Sequence, residues 1–71
     1  MVDPLPNFAA NLRRLRAERG LTQDALAAGA QMDPAEIRRL ESGRRDPGVR
    51  VVARLAQGLG VEPHQLLIGI L

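Results

Sequence analysis

The stretch MDPAEIRRLESGRRDP, residues 32–47, sets Arg38, Arg39, Arg44 and Arg45 behind two carboxylates, Asp33 and Glu36. Arginine presents a planar fork of N–H donors that matches phosphate oxygens and the O6/N7 edge of guanine, so the basic half suits a polyanion. The acidic half suits a helix start. Asp33 followed by Pro34, with Glu36 three residues on, is an Asp version of the capping box. Acids in that place gain roughly 0.3–1 kcal/mol from the helix dipole. Two uses of Glu36 therefore stay open: folding back on the cap, or accepting a hydrogen bond from a cytosine N4 amine.

Charge is segregated along the chain, and its distribution says more than the net +2. Residues 1–20 are net basic, and residues 21–37 carry Asp24, Asp33 and Glu36 with no Arg or Lys. Residues 38–50 are net basic again, and all 10 basic residues of the chain are Arg. With 71 residues the chain makes one domain, near the size at which a single core is only marginally stabilising. It has no cysteine, which removes disulfides and Cys-based zinc sites. The lone histidine, His64, has no ligand partner at useful spacing and reads as a surface residue. There is no nucleophile–base pair, no phosphate-cradling glycine loop and no metal cluster. The expectation is a non-enzyme with no cofactor, no metal and no small-molecule ligand. No apolar run approaches the ~20 residues of a membrane span, and no arginine-led apolar leader opens the chain, so a cytoplasmic protein is expected.

Apolar periodicity predicts an all-α fold, a compact domain of five short helices and nothing strand-like. Pro4 and Pro6 are expected to keep the first residues extended, with Asn7 as the cap of helix 1, about 8–19. Phe8, Leu12 and Leu15 form its buried stripe, and Gly20 ends it. Thr22 caps helix 2, about 23–30, which carries Leu26, Ala27 and Ala30. Helix 3, about 34–41, turns Ile37 and Leu40 inward. Helix 4, about 49–59, does the same with Val52, Leu55, Ala56 and Leu59, and Gly60 stops it. Glu62-Pro63 opens a fifth helix, about 63–67, with Leu66 and Leu67. Residues 1–71 form a single domain on this pattern.

Helices 2 and 3, joined by only a few residues, describe a helix-turn-helix, whose second helix enters the DNA major groove. Residues 8–67 resemble the Cro/Xre-type, phage-repressor-like helix-turn-helix family. The matching stretches, FAANLRRLRAERGLTQDALA, IRRLESGRRDP and VARLAQGLGVEPHQLL, lie in register across all five helices. At this length the chain looks like a small stand-alone regulator, such as a restriction–modification controller protein, a repressor or an antitoxin. The same pattern fits a complete small regulator or the DNA-binding domain of a longer chain.

The resemblance assigns roles. Ala35, Glu36 and Arg39 match positions that face base edges, while Gln23 matches a residue that bonds phosphate and braces helix 3. Arg44 and Arg45 fall in the loop that lies along the DNA backbone, with Ser42 beside them. Arg16 and Glu41 match a largely buried ion pair. The family usually has Gly in the turn where this chain has Gln31, which implies a left-handed residue there.

The helical geometry adds detail. Arg38 and Arg39 diverge by about 100°, so Arg39 would fork onto guanine and Arg38 would meet a flank or a phosphate. Arg13, Arg14 and Arg19 on helix 1 read as a solvated face. Val51 and the tail residues Ile68, Ile70 and Leu71 either fold onto helix 1 or meet a second subunit. Taken together these imply a sequence-specific regulator that binds double-stranded DNA as a homodimer on a rough palindrome, without membrane association. The alternative is a protein-interaction module on the same scaffold, an antitoxin or bridging factor with weak DNA binding.

Overall fold

In the computed structural model, which describes residues 2–70, the first α-helix, α1, spans Leu5–Glu18 and so begins ahead of Phe8. Pro4 and Pro6 open this helix instead of delaying it. They occupy the cap and the first turn, where a missing N–H leaves no helical bond unmade. Asp3 Oδ1 accepts from the Leu5 N–H at 3.0 Å, and Asn7, expected as the cap, lies inside the first turn.

Three further α-helices follow: α2, Gln23–Ala30, α3, Pro34–Glu41, and α4, Val49–Leu59. Thr22 and Asp33 cap α2 and α3, their side chains accepting from the Ala25 and Ala35 N–H groups. The expected fifth α-helix is instead a 3-10 helix, Pro63–Leu67. Five residues hold little more than one turn, and i→i+3 bonds such as Gln65 N–H to Glu62 O close it. Among the described residues the fold is all-helical, with no strand.

The apolar stripes meet in one core. Leu12, Leu26, Ile37, Leu40, Leu55 and Leu66 are all fully buried, so each α-helix and the 3-10 helix contributes. α2 and α4 pack closely at Gly58, where a Cβ would stand only 2.9 Å from the Ala30 nitrogen.

All four α-helices end in the same way. A residue one or two positions past the helix turns left-handed and the next N–H bonds back five residues, as in Leu21 to Arg16, Met32 to Ala27, Arg44 to Arg39 and Val61 to Ala56. Gly20, Gly43 and Gly60 supply three of these turns, and Gln31 (φ 57°) supplies the fourth. Leu21, Met32 and Val61 then fold onto the core. Arg44, in the equivalent place after α3, stays exposed.

Candidate nucleic-acid interface

The orientation of α3 depends on a buried acid. Glu41 is 5% exposed, and groups from two other helices converge on it. Arg16 of α1 grips the carboxylate at both oxygens, Nε to Oε2 at 2.5 Å and Nη2 to Oε1 at 3.1 Å. Gln23, at the first position of α2, donates from Nε2 to Oε1 at 3.0 Å. Arg13 donates to the Glu41 backbone carbonyl, and Arg16 Nη1 also reaches the Leu21 carbonyl at 2.9 Å. The hydrogen bond to Glu41, with its negative charge, holds the Arg16 pKa above its ordinary value, against a smaller opposing effect of burial. A raised pKa means that the contribution of Arg16 is fully present below the ordinary arginine range, so it does not fade at mildly alkaline pH.

With Ile37 and Leu40 inward, the opposite side of α3 faces solvent. Ala35, Arg38, Arg39, Ser42 and Arg44 border an open depression of about 450 Å³ there. Arg38, Arg39 and Arg44 are exposed. Their side chains have no hydrogen-bond or ion-pair partner among the described residues. Ser42 donates its hydroxyl to the Arg39 carbonyl at 2.9 Å, which leaves the oxygen's lone pairs outward.

Glu36 does not complete the capping box. Asp33 alone caps the helix, accepting from the Ala35 N–H at 2.8 Å. Glu36 turns instead to Arg45, whose Nη1 lies 2.5 Å from Oε2. Arg45, expected on the DNA backbone, is thus paired within the chain, whereas its neighbour Arg44 is exposed.

The arginines of α1 are not simply solvated. Besides Arg13, Arg14 donates to Asn11 Oδ1 at 2.9 Å and Arg19 to the Gly60 carbonyl at 3.1 Å. Sequence reasoning missed Asn11, which is 4% exposed. Its amide donates to the Leu66 and Ile68 carbonyls at 2.8 and 2.9 Å, and Asn7 donates to the Gly69 carbonyl at 3.1 Å. Two asparagines at i and i+4 among the apolar positions of α1 were the available signal. They tie the tail to α1. Val51 and Ile70 pack against the core, while Ile68 is exposed and Leu71 lies outside the described residues.

Residues 7–67 match the helix-turn-helix domain family. The chain belongs to that family. The helix-turn-helix chain is 42% identical, over 57 residues, to an uncharacterised HTH-type transcriptional regulator, y4dJ, of Sinorhizobium fredii; the match covers 80% of this chain and 74% of that protein. It is 39% identical over 59 residues to the HTH-type transcriptional regulator DdrOP3 of Deinococcus deserti, covering 83% of this chain but 46% of that longer one. Among solved structures, the restriction-modification controller protein C.AhdI of Aeromonas hydrophila superposes with a TM-score of 0.85 at 34% identity, covering 87% of this chain and 94% of that one. The clp gene regulator ClgR of Corynebacterium glutamicum gives 0.87 at 28% identity, covering 96% and 88%.

The family is one of DNA-binding transcriptional regulators. Its two named helices are α2 and α3 here, joined through Gln31, Met32 and Asp33. Among the described residues no group of three His, Cys, Asp or Glu could hold a metal, and no helix is long and apolar enough to cross a membrane.

Proposed function

We propose that the chain regulates transcription by binding a roughly palindromic double-stranded DNA site as a homodimer, with α3 of each subunit in the major groove. One observation carries this: three unpartnered, exposed arginines, Arg38, Arg39 and Arg44, surround a single depression on the outward side of α3. Arg39 is the guanine reader, Ala35 offers a methyl group to a thymine methyl, and Arg38 meets the flank. Gln23, Ser42 and Arg44 meet phosphates. Gln23 keeps its second amide hydrogen for this while the first braces Glu41. The proposed activity needs no cofactor, and control comes from occluding or assisting a promoter.

A protein-interaction module on the same scaffold would use the acidic N-terminal end of α3, where Asp33 and Glu36 lie. Pairing of Glu36 with Arg45 weakens this reading, because the carboxylate is neutralised where a partner's basic residue would have to bind.

The test is a titration of DNA affinity against salt. Each phosphate contact releases a counterion, with a slope near −0.9 per neutralised phosphate on a log–log plot. Arg44 and its companions, doubled in a dimer, make the expected decline steep. An affinity unchanged from low to moderate salt would overturn the proposal.

A further inference from the structure

The Glu36–Arg45 pair spans nine residues and joins the first turn of α3 to the loop beyond its end. α3 has eight residues, so its first turn stands roughly 10 Å from its last. The left-handed turn at Gly43 (φ 73°) sends the chain back along the helix, and the length of Arg45 covers the remaining gap. Both side chains are about one-third exposed, 35% and 34%, so the pair sits at the edge of the arginine-lined face and is not sunk in the core. Only Oε2 of Glu36 is engaged. Oε1 has no partner among the described residues, and Glu36 shares its exposed face with Arg39, three residues on.

A lone carboxylate on that face would meet the phosphates of both strands as a like charge and would resist entry into the groove. A carboxylate already held by a guanidinium is neutral at the distance of a phosphate and fixed in direction. It retains one oxygen for a hydrogen-bond donor. In the major groove the donors are exocyclic base amines, and a carboxylate suits cytosine N4.

We propose that Arg45 acts on DNA through Glu36: it is a positioning residue that neutralises and orients the Glu36 carboxylate to accept from a cytosine amine, and not a phosphate contact. The inference rests on the proposed binding of DNA by α3. It gives adjacent arginines different work, since Arg44 meets phosphate directly and Arg45 tunes base choice.

The experiment is a double-mutant cycle with the whole chain: wild type, Arg45→Ala, Glu36→Gln and the double variant. Each is titrated on the duplex that the wild type selects from a random pool, and on a scrambled duplex of equal length, across a range of salt. In the wild-type background Arg45→Ala should lower affinity for the selected duplex about tenfold, whereas in the Glu36→Gln background it should change affinity by less than about twofold. Glu36→Gln should relax preference at one base pair per half-site. In its background, adding Arg45→Ala should leave the salt slope unchanged.

Equal losses in both backgrounds on both duplexes, with a slope shallower by about one per subunit, would make Arg45 a phosphate clamp and overturn the inference while leaving DNA binding intact. Failure of the wild type to select any duplex would instead refute the binding on which it rests. Thermal melting of all four proteins checks the fold. Arg45→Gln repeats the comparison with more of the side chain kept.

Discussion

Arg16 and Glu41 differ in how much water each regains when its partner is removed. Arg16→Ala strands a carboxylate whose side chain is 4% exposed, with Gln23 its only remaining side-chain donor among the described residues, and should cost about 3–5 kcal/mol. Glu41→Ala strands a guanidinium that is 22% exposed and still bonded to the Leu21 carbonyl, so the loss should be smaller. Replacing both by apolar residues should cost less than Arg16→Ala alone. Urea unfolding measures the order, and single variants as stable as wild type would show that the pair carries no weight. Arg39 and Arg44 separate on a different measurement. Arg39→Ala should cost ~1–3 kcal/mol on the preferred duplex and relax preference at one base pair per half-site. Arg44→Ala should weaken binding to every sequence alike and flatten the salt slope by about one per subunit. Equal losses for Arg39→Ala on preferred and scrambled duplexes would reassign it to phosphate.

Among the described residues, the ends of the helices carry a backbone cost at one place. Gln31 adopts the left-handed turn that Gly20, Gly43 and Gly60 make freely. A side chain there costs roughly 1–2 kcal/mol, partly offset because glycine loses more chain entropy on folding. Gln31→Gly should therefore stabilise by up to about 1 kcal/mol and raise Tm by a few degrees. Gly58→Ala should do the reverse, since its Cβ would press on the Ala30 backbone of α2. A lowered Tm for Gln31→Gly would mean that its side chain holds something more valuable than the turn costs. What the sequence revealed of these elements was local. Period-3.6 stripes marked the buried faces of α1 to α4, and glycines marked most of their ends. The start of α1 was misplaced because two prolines read as extended chain, whereas they suit the cap and first turn of a helix whose Leu5 N–H bonds to the Asp3 carboxylate. The tail clamp of Asn7 and Asn11 joins residues more than fifty apart: the two asparagines among apolar positions signal a buried polar contact, but no local pattern says which carbonyls they reach. Glu36–Arg45 escaped for a related reason: it crosses the end of α3, beyond which helical spacing predicts no neighbours.

One chain presents one α3, and its body measures 34 × 22 × 21 Å. Two half-sites on one face of the duplex lie about 34–36 Å apart, so a palindrome calls for two copies side by side. The surface available for joining them is narrower than the sequence suggested. Val51 and Ile70 are spent largely on the subunit's own core, and changing them should lower monomer stability. Next to them in the sequence, the most exposed apolar residues are Ile68, 55% exposed, and Val49, 88% exposed, which periodicity had placed only at the head of α4. Neither contributes to the core, so making either polar should leave the subunit folded. Ile68→Asp and Val49→Asp are therefore expected to shift sedimentation at micromolar concentration from dimer toward monomer with little change in Tm. They should also remove most of the affinity advantage of a palindrome over a single half-site, because the second α3 would no longer arrive with the first. Sedimentation of the wild type as monomer alone, with and without palindromic DNA, would refute the dimer. A wild-type dimer untouched by either substitution would move the interface elsewhere on the molecule.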